Sequence, residues 1–81
     1  MTLTLQPIRV ATGFDEEGMM ILDKEQRLVA VLVRLSDENE VAPGQWYLEA
    51  GFGRLDGGSH PTFSNLDIAK DWISQRLAYR P

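Results

Sequence analysis

Arg27-Leu28-Val29-Ala30-Val31-Leu32-Val33-Arg34-Leu35 contains the longest apolar run of the chain, Leu28 to Val33. Its brevity and its β-branched content mark a strand, being too short for an amphipathic helix. Alternation puts Val29, Val31, Val33 and Leu35 on one face and Leu28, Ala30 and Leu32, ending in Arg34, on the other. A strand that is apolar on both faces calls for cover on both.

Upstream, Met19-Met20-Ile21-Leu22 is separated from this run by the polar stretch Asp23-Lys24-Glu25-Gln26, which predicts a hairpin. Downstream, the turn pair Pro43-Gly44 precedes Gln45-Trp46-Tyr47-Leu48-Glu49-Ala50-Gly51-Phe52-Gly53, whose alternation predicts a third antiparallel strand. Residues 19–55 therefore read as a β-meander. Leu3 to Val10 is a candidate edge strand or arm within residues 1–12, because Pro7 has no N–H to give a ladder.

Near the end of the sequence, Ser64 and Asp67 have the spacing of a capping box, and Phe63 with Ile68 that of a hydrophobic staple. Leu66, Ala69, Ile73 and Leu77 then recur at helical spacing with Trp72 beside them. These cues predict a helix over 64–79. The expected fold is a single small α+β domain spanning 1–81: a three- or four-stranded antiparallel meander with one C-terminal helix packed on one face.

The chain has 81 residues, 12 Asp plus Glu against 8 Lys plus Arg, one His and no Cys. This length allows one modest core. Without cysteine there is no disulfide framework or thiolate chemistry, and nothing points to an oxidising compartment. No run approaches the ~20 apolar residues of a membrane span, and the N-terminal residues lack the pattern of a secretory leader, so the expectation is a cytoplasmic protein without membrane contact. The net charge of −4 removes the global attraction that initiates nucleic-acid binding.

The acids concentrate in two segments, Asp15-Glu16-Glu17 and Asp37-Glu38-Asn39-Glu40, which read as loops. In a meander both loops lie at one end of the sheet. The helix is expected to run back toward them and neutralise them with Arg76 and Arg80. The sharper alternative is a cation or basic-partner site built from Asp15, Glu16, Glu17, Asp37, Glu38 and Glu40, although the spacing is not that of an EF-hand loop.

Catalytic signals are sparse. Asp56, Ser59 and the only histidine, His60, share a Gly-rich loop and supply carboxylate, hydroxyl and imidazole on paper, but a triad needs a rigid scaffold that aims the three groups at one another. One His and no Cys give no zinc set, so no metal or other cofactor is expected. Gly51-Phe52-Gly53-Arg54-Leu55-Asp56 opens like a dinucleotide fingerprint but has Asp56 at the third glycine position. Gly51 and Gly53 instead suggest a bulge or the close approach of another backbone. Trp46 and Trp72 fall on inward stripes and are assigned to the core.

Three strands followed by a helix, with Phe63 and Ala69-Lys70-Asp71-Trp72-Ile73 in the tail, resembles the layout of small integrase-arm and plant-type AP2 DNA-binding domains. That resemblance implies an exposed sheet face inserted into a DNA groove, here with Arg27, Arg34 and Arg54 as the cations. Such domains use basic and polar side chains on that face, whereas this chain offers Leu28, Leu32 and Glu49 beside Arg34.

With the odd row of the central strand and Trp46, Leu48, Ala50 and Phe52 expected beneath the helix, the opposite face would present Leu28, Leu32, Arg34, Tyr47 and Glu49. The first ten residues, a homodimer or another protein would have to cover it. The functional expectation is a non-catalytic protein–protein interaction module acting through that face. A nucleic-acid-binding domain is the first alternative, and an enzyme or ligand binder using the Asp56–His60 loop the second.

Overall fold

A computed structural model describes residues 2–78. Five strands form one antiparallel sheet in sequential order: β1 (Thr4–Arg9), β2 (Glu17–Leu22), β3 (Leu28–Arg34), β4 (Trp46–Gly51) and β5 (Thr62–Phe63). Among the described residues one α-helix, α1 (Leu66–Ala78), follows, so the layout is α+β. Among the described residues no helix is long and apolar enough to cross a membrane.

The meander and the C-terminal helix match the sequence reading, with five strands in place of three or four. The first segment does form an edge strand: Thr4 to Arg9 pair with Leu22 to Glu17. It therefore extends the sheet sideways and does not fold over a face. The Val10 amide donates to the Glu16 carbonyl at 2.8 Å. Alternation from that bond turns the Pro7 nitrogen to the outer edge, where its missing N–H costs no ladder bond.

The β2–β3 hairpin is closed by one side chain. Asp23 Oδ1 accepts from the amides of Glu25 and Arg27, both at 2.9 Å, and Oδ2 accepts from Arg27 Nε at 2.8 Å. Gln26 takes the left-handed conformation, φ 64°, that the turn requires.

Two irregularities decide which face of the sheet meets the helix. Ile21 pairs with Ala30 but Leu22 pairs with Leu28, leaving Val29 as an extra residue on β3. Val31 pairs with Ala50 but Leu32 pairs with Leu48, leaving Glu49 extra on β4. Each bulge breaks the two-residue alternation on its strand. Ala30 and Leu32 consequently share a face with Ile21, Leu48, Trp46 and Phe63, and these pack with Ala69 and Ile73 of α1 in the hydrophobic core.

This corrects the expected face. Leu32 is fully buried beneath α1, whereas Val31 and Val33 lie on the opposite side. Ala50 moves with Val31, and Phe52 is nearly half exposed and outside the core.

Between β4 and β5, a single 3-10 turn at Gly53–Leu55 places Leu55 in the core. A Cβ on Gly51 would come within 2.7 Å of Leu55 Cβ and 2.8 Å of its carbonyl oxygen. Gly51 thus permits a close backbone approach, but on the helix side of the sheet, and Gly53 has nothing within 4 Å and takes a positive φ of 61°. The chain then returns through β5, whose Phe63 pairs with Trp46 and whose Thr62 pairs with Tyr47.

The extra strand reverses the expected direction of the helix. α1 starts at the end of the sheet where β4 starts and runs toward the β2–β3 hairpin, so Leu77 shares a cavity with Asp23, Arg27 and Leu28. Arg76 is not turned to the acidic loops: its guanidinium lies 4.6 Å from the centre of the Trp72 ring. Arg80 and Tyr79, the expected last helical residue, lie outside the described residues.

The helix cap is Asn65, one position after the expected Ser64: Asn65 Oδ1 accepts from the Ile68 amide at 2.9 Å. The Phe63–Ile68 staple does not form. Ile68 is about half exposed, and Phe63 packs against Trp72 with ring centres 5.5 Å apart.

Candidate functional site

With α1 on one side, the other side of the sheet carries Ile8, Met20, Leu22, Val31, Val33, Tyr47 and Ala50. Most of these side chains are half-buried, so an apolar face stands opposite the helix. The requirement for cover on both sides of β3 survives the exchange of faces.

Two loops close over one end of this face. In the first, residues 10–16, the Val10 side chain lies over Gly18, where a Cβ would meet Val10 Cγ2 at 2.6 Å. The second, residues 35–45, is shaped by Asn39, whose Oδ1 accepts from the amides of Val41 and Ala42 at 2.9 and 2.8 Å. This turn brings Ala42 inward, where it is buried, and leaves Val41 pointing out. The Ser36 amide donates to Asp15 Oδ1 at 3.0 Å and ties the two loops together.

Between them lies a cleft of about 420 Å³, floored by Val33, Leu35, Ala42 and Tyr47. Phe14 and Val41 stand on its two sides, each 93% exposed. Asp15 and Glu49 also line it, and no lining residue is basic. The nearby arginines are engaged: Arg34 Nη2 lies 3.4 Å from Asp37 Oδ1, and Arg9 pairs with Glu16.

The residues singled out from sequence do not form one surface. Tyr47 and Glu49 line the cleft. Leu28 is on the same side by register but lines a separate cavity of about 520 Å³ at the hairpin end with Phe52, Arg54 and Leu77. Leu32 is core, and Arg34 lies on the helix side of the sheet. Phe14 and Val41 were missed because an isolated aromatic or aliphatic residue in an acidic loop has no periodicity to flag it. A large apolar residue between Gly13 and Asp15 is the one available hint.

The acidic loops do meet at one end, through Asp15 and Ser36. Among the described residues, however, no group of three or more His, Cys, Asp or Glu side chains converges as a metal ion would need. Of the expected set, Asp15 lines the cleft, Glu38 and Glu40 flank Asn39 beside it, Glu16 and Asp37 pair with Arg9 and Arg34, and Glu17 opens β2 on the helix side by register. Asp15, Glu16, Glu17, Asp37, Glu38 and Glu40 therefore do not converge on one point.

Asp56, Ser59 and His60 are all exposed and lie in neither cavity lining described above. His60 Nδ1 is 2.7 Å from the Leu48 carbonyl oxygen, so that nitrogen is the donor, and the imidazole stacks on Tyr47 with centres 6.1 Å apart. These contacts fasten the loop to the sheet, and no hydrogen bond joins the three side chains. Arg27 immediately precedes β3 and Arg34 ends it, so they stand about 23 Å apart at ~3.3 Å per residue. Arg27, paired with Asp23, and Arg54 both line the hairpin-end cavity, while Arg34 lies at the other end of β3, so the three expected cations do not form one patch. Comparison with protein families, curated proteins and solved structures found no match.

Proposed function

We propose that the protein is a non-catalytic protein–protein contact module that works through the sheet face turned away from α1, at the cleft between its two acidic loops. The observation that supports this reading is the near-complete exposure of Phe14 and Val41 on either side of an apolar floor. Folding alone gives no reason to hold two large apolar side chains in water around a cleft. Association does, because burial of such anchors at the centre of a contact supplies much of its free energy.

The test is affinity capture from a native lysate, with and without nuclease, comparing wild type with Phe14→Asp/Val41→Asp. Both side chains are exposed, so the variant should keep its circular dichroism and melting temperature. A protein retained by wild type, lost with the variant and indifferent to nuclease supports the reading. Identical capture by the two proteins, or capture abolished by nuclease, removes it.

A further inference from the structure

The geometry points to a specific kind of occupant for this cleft: a segment of another protein that presents an apolar anchor flanked by Lys or Arg. This inference rests on the contact reading above and adds the chemistry of the partner.

The cleft has the volume of a small ligand pocket, whose usual range is about 300–1,000 Å³. It suits one or two anchor side chains. Around it the unpaired charge is negative. Residues 10–17 and 35–45 contain six acids and no Lys, Arg or His; Arg9 and Arg34 from the adjoining strands pair with Glu16 and Asp37, and Glu17 falls on the helix side by register. Asp15 lines the cleft itself, and Glu38 and Glu40 flank Asn39, which lines it too; from β4, Glu49 completes the acidic lining. α1 carries Arg76 away from these loops, toward the hairpin end. An incoming apolar group therefore passes within a Debye length, ~8–10 Å, of several carboxylates.

That field sorts the candidates. A second copy, docking by two-fold symmetry, would set the same acidic border against itself. Nucleic acid and anionic lipid meet the same repulsion. A small cation alone lacks a convergent ligand set. A segment carrying both cations and an apolar anchor satisfies the border and the floor together.

The experiment is selection of a random peptide display library on the full 81-residue protein, with affinities of the enriched peptides measured by fluorescence anisotropy. Enriched peptides are expected to combine an aromatic or aliphatic anchor with Lys or Arg, and to lose binding with Phe14→Asp/Val41→Asp. Their affinity should fall about two- to thirtyfold with Glu38→Gln/Glu40→Gln, the range for two exposed charge contacts, and fall further as salt rises.

Enriched peptides without an excess of Lys or Arg, but sensitive to Phe14→Asp, would overturn the cation requirement and leave the docking face standing. Enriched peptides indifferent to Phe14→Asp/Val41→Asp, or no enrichment, would overturn the inference. Sedimentation that shows a wild-type dimer abolished by Phe14→Asp would assign the cleft to a second copy instead.

Discussion

The carboxylate of Asp15 accepts the backbone amide of Ser36 at 3.0 Å, joining two loops that are 21 positions apart in the chain. The bond holds residues 10–16 and 35–45 in the arrangement that sets Phe14 and Val41 on opposite sides of one cleft. It is a part-buried, charge-assisted bond, and removing its acceptor leaves an amide to find water.

Asp15→Ala should therefore lower unfolding stability by about 1–2 kcal/mol in urea titrations, within the range for hydrogen bonds to charged groups. It should also speed hydrogen exchange at the Ser36 amide, while Asp15→Asn, which keeps a carbonyl oxygen, should retain part of the protection. An unchanged Ser36 exchange rate in Asp15→Ala would show that the tie does not hold the loops.

The two faces of β3 should answer differently to truncation. Leu32 is fully buried under α1, so Leu32→Ala should cost about 2–5 kcal/mol, the usual range for a large core residue. Val31 is half-buried on the open face, and Val31→Ala should cost about 1 kcal/mol or less, nearer the range of surface changes. Equal losses in the two variants, by urea unfolding, would mean that the open face is covered in solution.

This pair also marks where the sequence stops being legible. Strand positions, the hairpin at Asp23 and the stripe Leu66, Ala69, Ile73, Leu77 follow from local periodicity, and all appear in the fold. Face assignment needs strict alternation, and the extra residues Val29 and Glu49 break it; on β3 both rows are apolar, so the pattern carries no sign of the break. Thr62–Phe63 is too short to carry a period, yet it decides which end of the sheet α1 starts from. Tyr47 and Glu49 of the candidate site were visible as members of an alternating strand. Phe14 and Val41 matter through loop geometry, which depends on the Asn39 and Asp15 hydrogen bonds and not on pattern.

Two glycines face different obstacles. Gly51→Ala would set a Cβ 2.7–2.8 Å from Leu55 Cβ and backbone oxygen, and that residue is anchored in the core. It should destabilise the fold by about 1–3 kcal/mol, as overpacking does. Gly18→Ala meets the tip of the Val10 side chain, in a connecting loop, at 2.6 Å, and the backbone oxygens of Leu32 and Ile8 only at the milder distances of 3.2 and 3.3 Å. Thermal melts should therefore show the larger loss for Gly51→Ala, and the reverse order would place the tighter packing at Gly18.

Asp23 should govern part of the acid limb of the stability curve. The Arg27 amide at its carboxylate is the main influence holding the carboxyl below its ordinary value of 3.8; burial works against it, while the Arg27 guanidinium and the Glu25 amide reinforce it. A carboxyl lowered on folding stabilises the native state above its unfolded value and loses that contribution as pH falls through the lowered folded value. The wild-type melting temperature should thus decline below about pH 4, where an unfolded Asp begins to bind protons. Asp23→Asn should melt lower at neutral pH, since its amide replaces one acceptor of the Arg27 contacts with a donor, and it should lose less on acidification. Parallel acid limbs in the two proteins would show that Asp23 carries no proton linkage to folding.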